Sequence, residues 1–210
     1  MLDVHPPHEA AHSWRDFFIH IATIVIGLLI AISLEQTVEY IHHRHLVAEA
    51  RENIEREIHE NQELLPRNLA SIQQDATQMK LNIETIRQLR AHPHNLQGSI
   101  HYNLTWSSFS DSAWHTARDT GALNYMPYDE VQHFSQVYAQ QQYVNSLGIA
   151  VFTDQGKASG PIFAEGSIEQ LTPNEVDQLM GNTTSLYVQL QSLEEILGQL
   201  QHDYTEATHH

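Results

Sequence analysis

Sixteen histidines stand out in this 210-residue chain, because a neutral imidazole binds metal and histidine titrates near neutrality. His5, His8 and His12 fall at i, i+3 and i+7, so one helical face would gather three rings, but Pro6-Pro7 keeps a helix from starting before residue 8. His42, His43 and His45 surround Arg44, and Glu39, His42 and His45 can share a face and offer a metal ion three ligands. No H-E-x-x-H or comparable motif is present, and the remaining histidines scatter as surface polar residues do. The expectation is no metal site and no cofactor, with Glu39, His42 and His45 as the one set that would take a metal. Ser107, Ser108, Ser110 and Ser112 lie near Asp111 and His115, but no nucleophile-elbow pattern surrounds them. There is no Gly-rich phosphate loop. There is also no cysteine, which removes thiolate zinc sites, Cys nucleophiles and disulfides. We assign no catalytic residue and expect no enzyme. The net charge of −16, from 26 acids against 10 bases, excludes nucleic acid as a partner, since that needs clustered Lys and Arg.

His20 belongs to a different setting. Residues 17 to 34 read FFIHIATIVIGLLIAISL, with no Asp, Glu, Lys or Arg. A bilayer core of ~30 Å takes about 20 mostly apolar helical residues. Arg15 and Asp16 bound the run on one side and Glu35 on the other, and Trp14 sits where an interfacial anchor belongs. The run is longer than a signal peptide's apolar stretch and no small-x-small cleavage site follows, so an uncleaved anchor is expected. Ionisable residues inside a span usually face protein. For His20 we expect an interfacial position or a helix–helix hydrogen bond in preference to axial ligation of a haem or chlorin. Thr23, Gly27 and Ala31, at i, i+4 and i+8, form a small-residue row that lets another spanning helix approach closely.

The helix should not stop at the membrane. Val47, Ala50, Ile54, Ile58 and Leu65 make an apolar stripe at helical spacing, with Arg51–Glu55 and Glu52–Arg56 pairs on the opposite face. Past Pro66, the residues Leu69, Ile72, Ala76, Met79, Ile83 and Ile86 form a heptad seam in the same phase, which predicts a kinked continuation. Residues 91–103 read as a loop by composition. Asp111 or Ser112 is placed to cap a short helix that Gly121 ends. A helix starting at Pro127 should end at Gly160-Pro161 at the latest. Thr172-Pro173-Asn174-Glu175 is a capping box. After it come Val176, Leu179, Thr183, Leu186, Leu190, Leu193, Leu197, Leu200 and Tyr204 at alternating steps of 3 and 4, a seam that demands an apolar partner in this chain or a second copy. No strand is expected. The chain thus reads as all-α: a tail over 1–16, a transmembrane helix over 17–40, a stalk helix over 41–91 kinked near Pro66, and an antiparallel helical bundle or coiled-coil domain over 92–210 with its heptad helix at 173–205.

Two segments carry a resemblance. The run DFFIHIATIVIGLLIAISLEQTVEYIHHR matches an IGxLIA-type anchor at Ile26, Gly27, Leu29, Ile30 and Ala31. The run WHTARDTGALNYMPYDEVQHFSQVY matches a W-x-[TS]-[AL]-x-x-[ST]-G-A-L element at Trp114, Thr116, Ala117, Thr120, Gly121, Ala122 and Leu123. Over roughly residues 14 to 140 the chain resembles a group of uncharacterised bacterial single-pass inner-membrane proteins. That resemblance implies an inner-membrane location with an exported, periplasmic helical domain, and supplies no activity. Lys and Arg counting alone leans the other way, but large domains translocate largely regardless of charge. The expected function is a membrane-anchored, non-enzymatic helical scaffold or accessory subunit whose partners are the lipid bilayer, itself and other membrane-protein subunits. The alternatives are a periplasmic ligand-sensing module and a His-based metal or cofactor carrier.

Overall fold

The computed structural model describes residues 14–93 and 98–207, and the histidines at 5, 8 and 12 lie outside them. Four α-helices are present among the described residues, with no strand: α1 Trp14–Ala91, α2 Ser112–Asp119, α3 Tyr128–Glu165 and α4 Pro173–Ala207. Short 3-10 turns occupy Ala122–Tyr125 and Ile168–Gln170. The chain divides into two compact units, Met1–Ala48 and Glu49–His210. The division falls within α1, so the stalk expected over 41–91 is, from Glu49 onward, a member of the bundle.

In the second unit the heptad helix behaves as its spacing predicts. Leu179, Leu186, Leu190, Leu193, Leu197, Leu200 and Tyr204 are all fully buried. Helix α4 packs along α3, and α1 buries Ile54, Ile58, Leu65, Ile72, Met79 and Ile86 in the same unit. At one end of the bundle Ile86 and Leu89 of α1 pack with Val176 and Leu179 of α4. Cross-links fix the directions: Arg90 meets Asp177 at 3.2 Å, Gln73 meets Glu194 at 2.8 Å, and Tyr204 meets Gln141 of α3 at 2.7 Å. Helix α4 therefore runs antiparallel to α1 and α3. Its capping box forms, with the Thr172 N–H and hydroxyl both donating to Glu175 Oε2 at 2.7 and 2.6 Å.

Three local expectations are corrected. Helix α3 does not stop at Gly160-Pro161 but runs to Glu165 and ends at Gly166, whose φ of 72° is the left-handed turn glycine adopts readily. A helical proline frees the carbonyl four residues back. Here that is Lys157, and its oxygen accepts a hydrogen bond from Asn182 of α4 at 3.1 Å. Asp111 takes the N-cap position of α2, but its side chain makes no capping hydrogen bond. Glu57 of α1 accepts the Ala113 N–H at 3.0 Å, while Asp111 turns to His115 at 3.2 Å. Arg51 does not serve a helical pair with Glu55 alone: its guanidinium forks onto Glu130 of α3 at 2.5 and 2.8 Å. Gly121 takes a left-handed φ of 78°, Ala117 and Ala122 are buried at that corner, and Trp114 stacks on Tyr138 at 5.4 Å.

Candidate functional site

In the first unit, the segment 17–34 is helical throughout and about 27 Å long at 1.5 Å per residue. Among the described residues, none of the most apolar eighteen-residue window of α1 is buried. Trp14, Phe17 and Phe18 cluster at its start with ring centroids 5.3–5.8 Å apart. The hydroxyls along it are satisfied from within, Thr23 donating to the Ile19 carbonyl at 2.9 Å, Ser33 to Leu29 at 2.7 Å and Thr37 to Ser33 at 2.7 Å. That is the arrangement a helix needs where no water is available. The row Thr23, Gly27, Ala31 is exposed, and a side chain built at Gly27 would meet nothing within 4 Å. His20 is exposed on the same helix. The weak metal set is not gathered: Glu39 reaches His43 at 3.9 Å, and no group of three candidate ligands comes together among the described residues.

The second unit holds a feature the sequence reading passed over. Asn61, Asn68, Asp75 and Asn82 recur every seven residues on α1, and all four are buried. They line up under residues 99–111, which are neither helix nor strand. Each asparagine grips one backbone unit of this strap at both ends. Asn82 donates to the His101 carbonyl at 2.7 Å and accepts the His101 N–H at 3.1 Å. Asn68 does the same to Ser107 at 2.8 and 3.3 Å, and Asn61 to Ser110 at 2.7 and 2.9 Å. From the other side, Asn145 of α3 holds both ends of Phe109 at 2.9 Å, and Gln155 donates to the Tyr102 carbonyl at 3.2 Å. The side-chain amides thus substitute for the neighbouring strand that an extended backbone normally requires.

The register is set by matched lengths. Seven helical residues rise about 10.5 Å, and three extended residues span about 10 Å. Rungs at 82, 68 and 61 therefore meet the strap at 101, 107 and 110, with the strap running antiparallel to α1. Its apolar side chains are fixed as well. Leu104 and Phe109 are buried, Phe109 meets Tyr204 edge-on at 6.1 Å, and the Trp106 ring lies against bare Gly148 of α3. A methyl group at position 148 would overlap that ring.

At one end the ladder becomes a closed network. Glu57 accepts from Tyr138 Oη at 2.8 Å, from Ser110 Oγ at 2.6 Å and from Ala113 N–H. Gln141 joins the Ser110 carbonyl, Asn61 and Tyr204. Burial pushes the Tyr138 and Tyr204 hydroxyls well above the usual phenol range, and the Glu57 charge adds to both. The leucines of the 179–200 seam are consumed inside this unit and are not a free face for a second copy. Each group named in this network has a partner within the unit, and together they brace the strap between α1, α3 and α4. No protein-family model matches this chain, and no curated protein or solved structure matches it, so its reading rests on this geometry.

Proposed function

We propose that the protein is a membrane-anchored, non-enzymatic helical scaffold or accessory subunit that works through protein contacts, placed in a bacterial inner membrane with the 49–210 unit on the periplasmic side. One observation carries the reading: the apolar segment 17–34, free of Asp, Glu, Lys and Arg, is exposed along its whole length among the described residues. Exposed apolar surface on that scale marks a membrane or a partner. Small residues at 23, 27 and 31 suit a second spanning helix. On the folded unit, the exposed side chains of Tyr143, Ile149, Phe152 and Phe163 on α3 offer further contact points. The periplasmic placement rests on the resemblance alone.

The test is fractionation of the full-length chain. We expect it in the membrane pellet after a carbonate wash and released only by detergent; recovery in the soluble fraction without detergent would overturn the anchor. Native pull-down from detergent-solubilised membranes then tests the scaffold, and a strict monomer with no co-purifying protein refutes it. Because the chain has no cysteine, a single Ser192→Cys variant labelled with a membrane-impermeant maleimide in intact cells reports the side.

A further inference from the structure

One rung of the ladder differs from the others. Asp75 occupies the heptad position between Asn68 and Asn82 and is buried, yet its Oδ2 has no hydrogen-bond partner. An asparagine there would present a donor as well as an acceptor, whereas a carboxylate only accepts. The Thr105 N–H reaches it from the strap, and the Thr105 carbonyl has only the Ser71 hydroxyl, at 3.3 Å. We propose that Asp75 is a proton-operated latch, in which one proton taken up on the partnerless oxygen gives this rung the donor its neighbours have and closes the strap onto α1.

The surroundings leave the proton as the simplest ligand. On α1 the residues one turn away are Ser71, Ile72, Gln78 and Met79, all uncharged. The ionisable groups at this level are engaged elsewhere. Lys80 lies over the Tyr187 ring at 5.4 Å, and His101 on the strap bonds Ser99 at 2.6 Å. Tyr102 bonds Thr183 at 2.6 Å, Asp154 on α3 takes Lys157 and Gln189, and Glu194 on α4 takes Gln73. Among the described residues no cation is paired with the carboxylate. Burial raises Asp75 to about 6, against the lowering effect of the Thr105 N–H. The closed state therefore holds the proton more tightly than an open state in which Asp75 is hydrated. Acidification through about pH 6 tightens the strap, and a rise in pH loosens it. With 3.8 for the open state and about 6 for the closed one, the opening constant rises about tenfold between pH 5 and pH 7.5.

The experiment is hydrogen exchange by mass spectrometry on the full chain in detergent at pH 5.0 and 7.5, corrected for intrinsic exchange. Peptides covering 99–111 in the wild type should open about tenfold more at the higher pH, while peptides within 186–200 should not change. Asp75→Asn should abolish the difference and keep the strap at its acid-state protection. His101→Gln should leave the difference in place. A pH-independent wild-type strap overturns the proposal, as does a dependence that survives Asp75→Asn or disappears with His101→Gln. If Asp75→Asn fails to fold, the wild-type titration decides: a midpoint near 6 that persists in His101→Gln supports the latch, and any other result refutes it.

Discussion

Replacing Asn61 with alanine tests whether the ladder holds the strap or merely lies beneath it. Asn61 makes three hydrogen bonds: it donates to the Ser110 carbonyl and to Gln141 Oε1, and accepts the Ser110 N–H. Truncation does not strand all of these partners. The Ser110 carbonyl keeps Gln141 Nε2 at 2.7 Å, and Gln141 Oε1 keeps the Tyr204 hydroxyl at 2.7 Å. The Ser110 N–H loses its acceptor, but Ser110 is exposed and water can replace it, so this loss costs about 1 kcal/mol, and the lost buried Asn61–Gln141 bond adds about 1 kcal/mol. The sum is about 2 kcal/mol. Asn68→Ala removes two bonds, one of them 3.3 Å long, and both end on Ser107, which is exposed as Ser110 is, with no buried amide–amide bond like Asn61–Gln141 lost beside them among the described residues. That substitution should cost about 1 kcal/mol. Urea unfolding of the full chain in mild detergent, followed by far-UV circular dichroism, measures both. Because Asn61 and Gln141 share the Ser110 carbonyl, Asn61→Ala combined with Gln141→Ala should also be non-additive by about 0.5 kcal/mol or more. Equal costs for the two asparagines, with additive behaviour at Gln141, would refute the ladder as an energetic unit.

Gly148→Ala should drive the Trp106 ring off α3, cost about 1–3 kcal/mol as overpacking does, and shift tryptophan emission to the red; Gly198→Ala, which meets nothing within 4 Å, should instead be neutral or stabilise by up to about 1 kcal/mol. Tyr102, Tyr138 and Tyr204 all have raised hydroxyl values, chiefly through burial. The unfolded chain therefore loses phenolic protons first, and stability should fall as pH rises above about 10. Thermal melts across pH 9–11.5 check this, and Tyr204→Phe should make the fall shallower; an unchanged slope removes Tyr204 from the account. Gly27→Leu should weaken assembly in mild detergent if the row Thr23, Gly27, Ala31 packs another helix, and an unaltered mass distribution would discard that face.

What could be read from the sequence depended on whether a residue's partner was apolar. The seam from Val176 to Tyr204 is buried because leucine at heptad spacing has one stable use. The capping box and the left-handed Gly121 follow from local chemistry and were equally visible. The seam on α1 was traced through Leu69 and Ile83, which are only half-buried, whereas Asn61, Asn68, Asp75 and Asn82 lie deeper. Amides at a buried heptad position make sense only with their acceptors, and those lie 19 to 49 residues further along the chain. The same blindness explains the Glu57 cap on α2 and the passage of α3 through Pro161, since each is rescued by a polar group on a distant helix. The available signal was the strict seven-residue recurrence of amide or acid opposite a segment with no helical pattern.

The folded unit is an up-down bundle in which one helix has been replaced by an extended segment. With α1 running one way, α3 runs parallel to it and α4 opposes both, so the connection from α1 to α3 must return the length of the bundle. A helix over 99–111 would return only about 20 Å, whereas the extended strap returns about 43 Å. Extension leaves strap amides without helical partners, and the ladder supplies them at His101, Ser107 and Ser110, at the spacing the helix dictates. An apolar seam in place of Asn61, Asn68 and Asn82 would bury the strap's side chains equally well, but it would let the strap slide along α1, because hydrophobic contact is non-directional. Paired donors and acceptors permit one register, and a one-residue slip breaks them all. The polar core therefore contributes specificity of arrangement more than raw stability. The strap's hold then depends on each rung in turn, which is why a single carboxylate among the amides at position 75 is the place where a change of protonation would be felt.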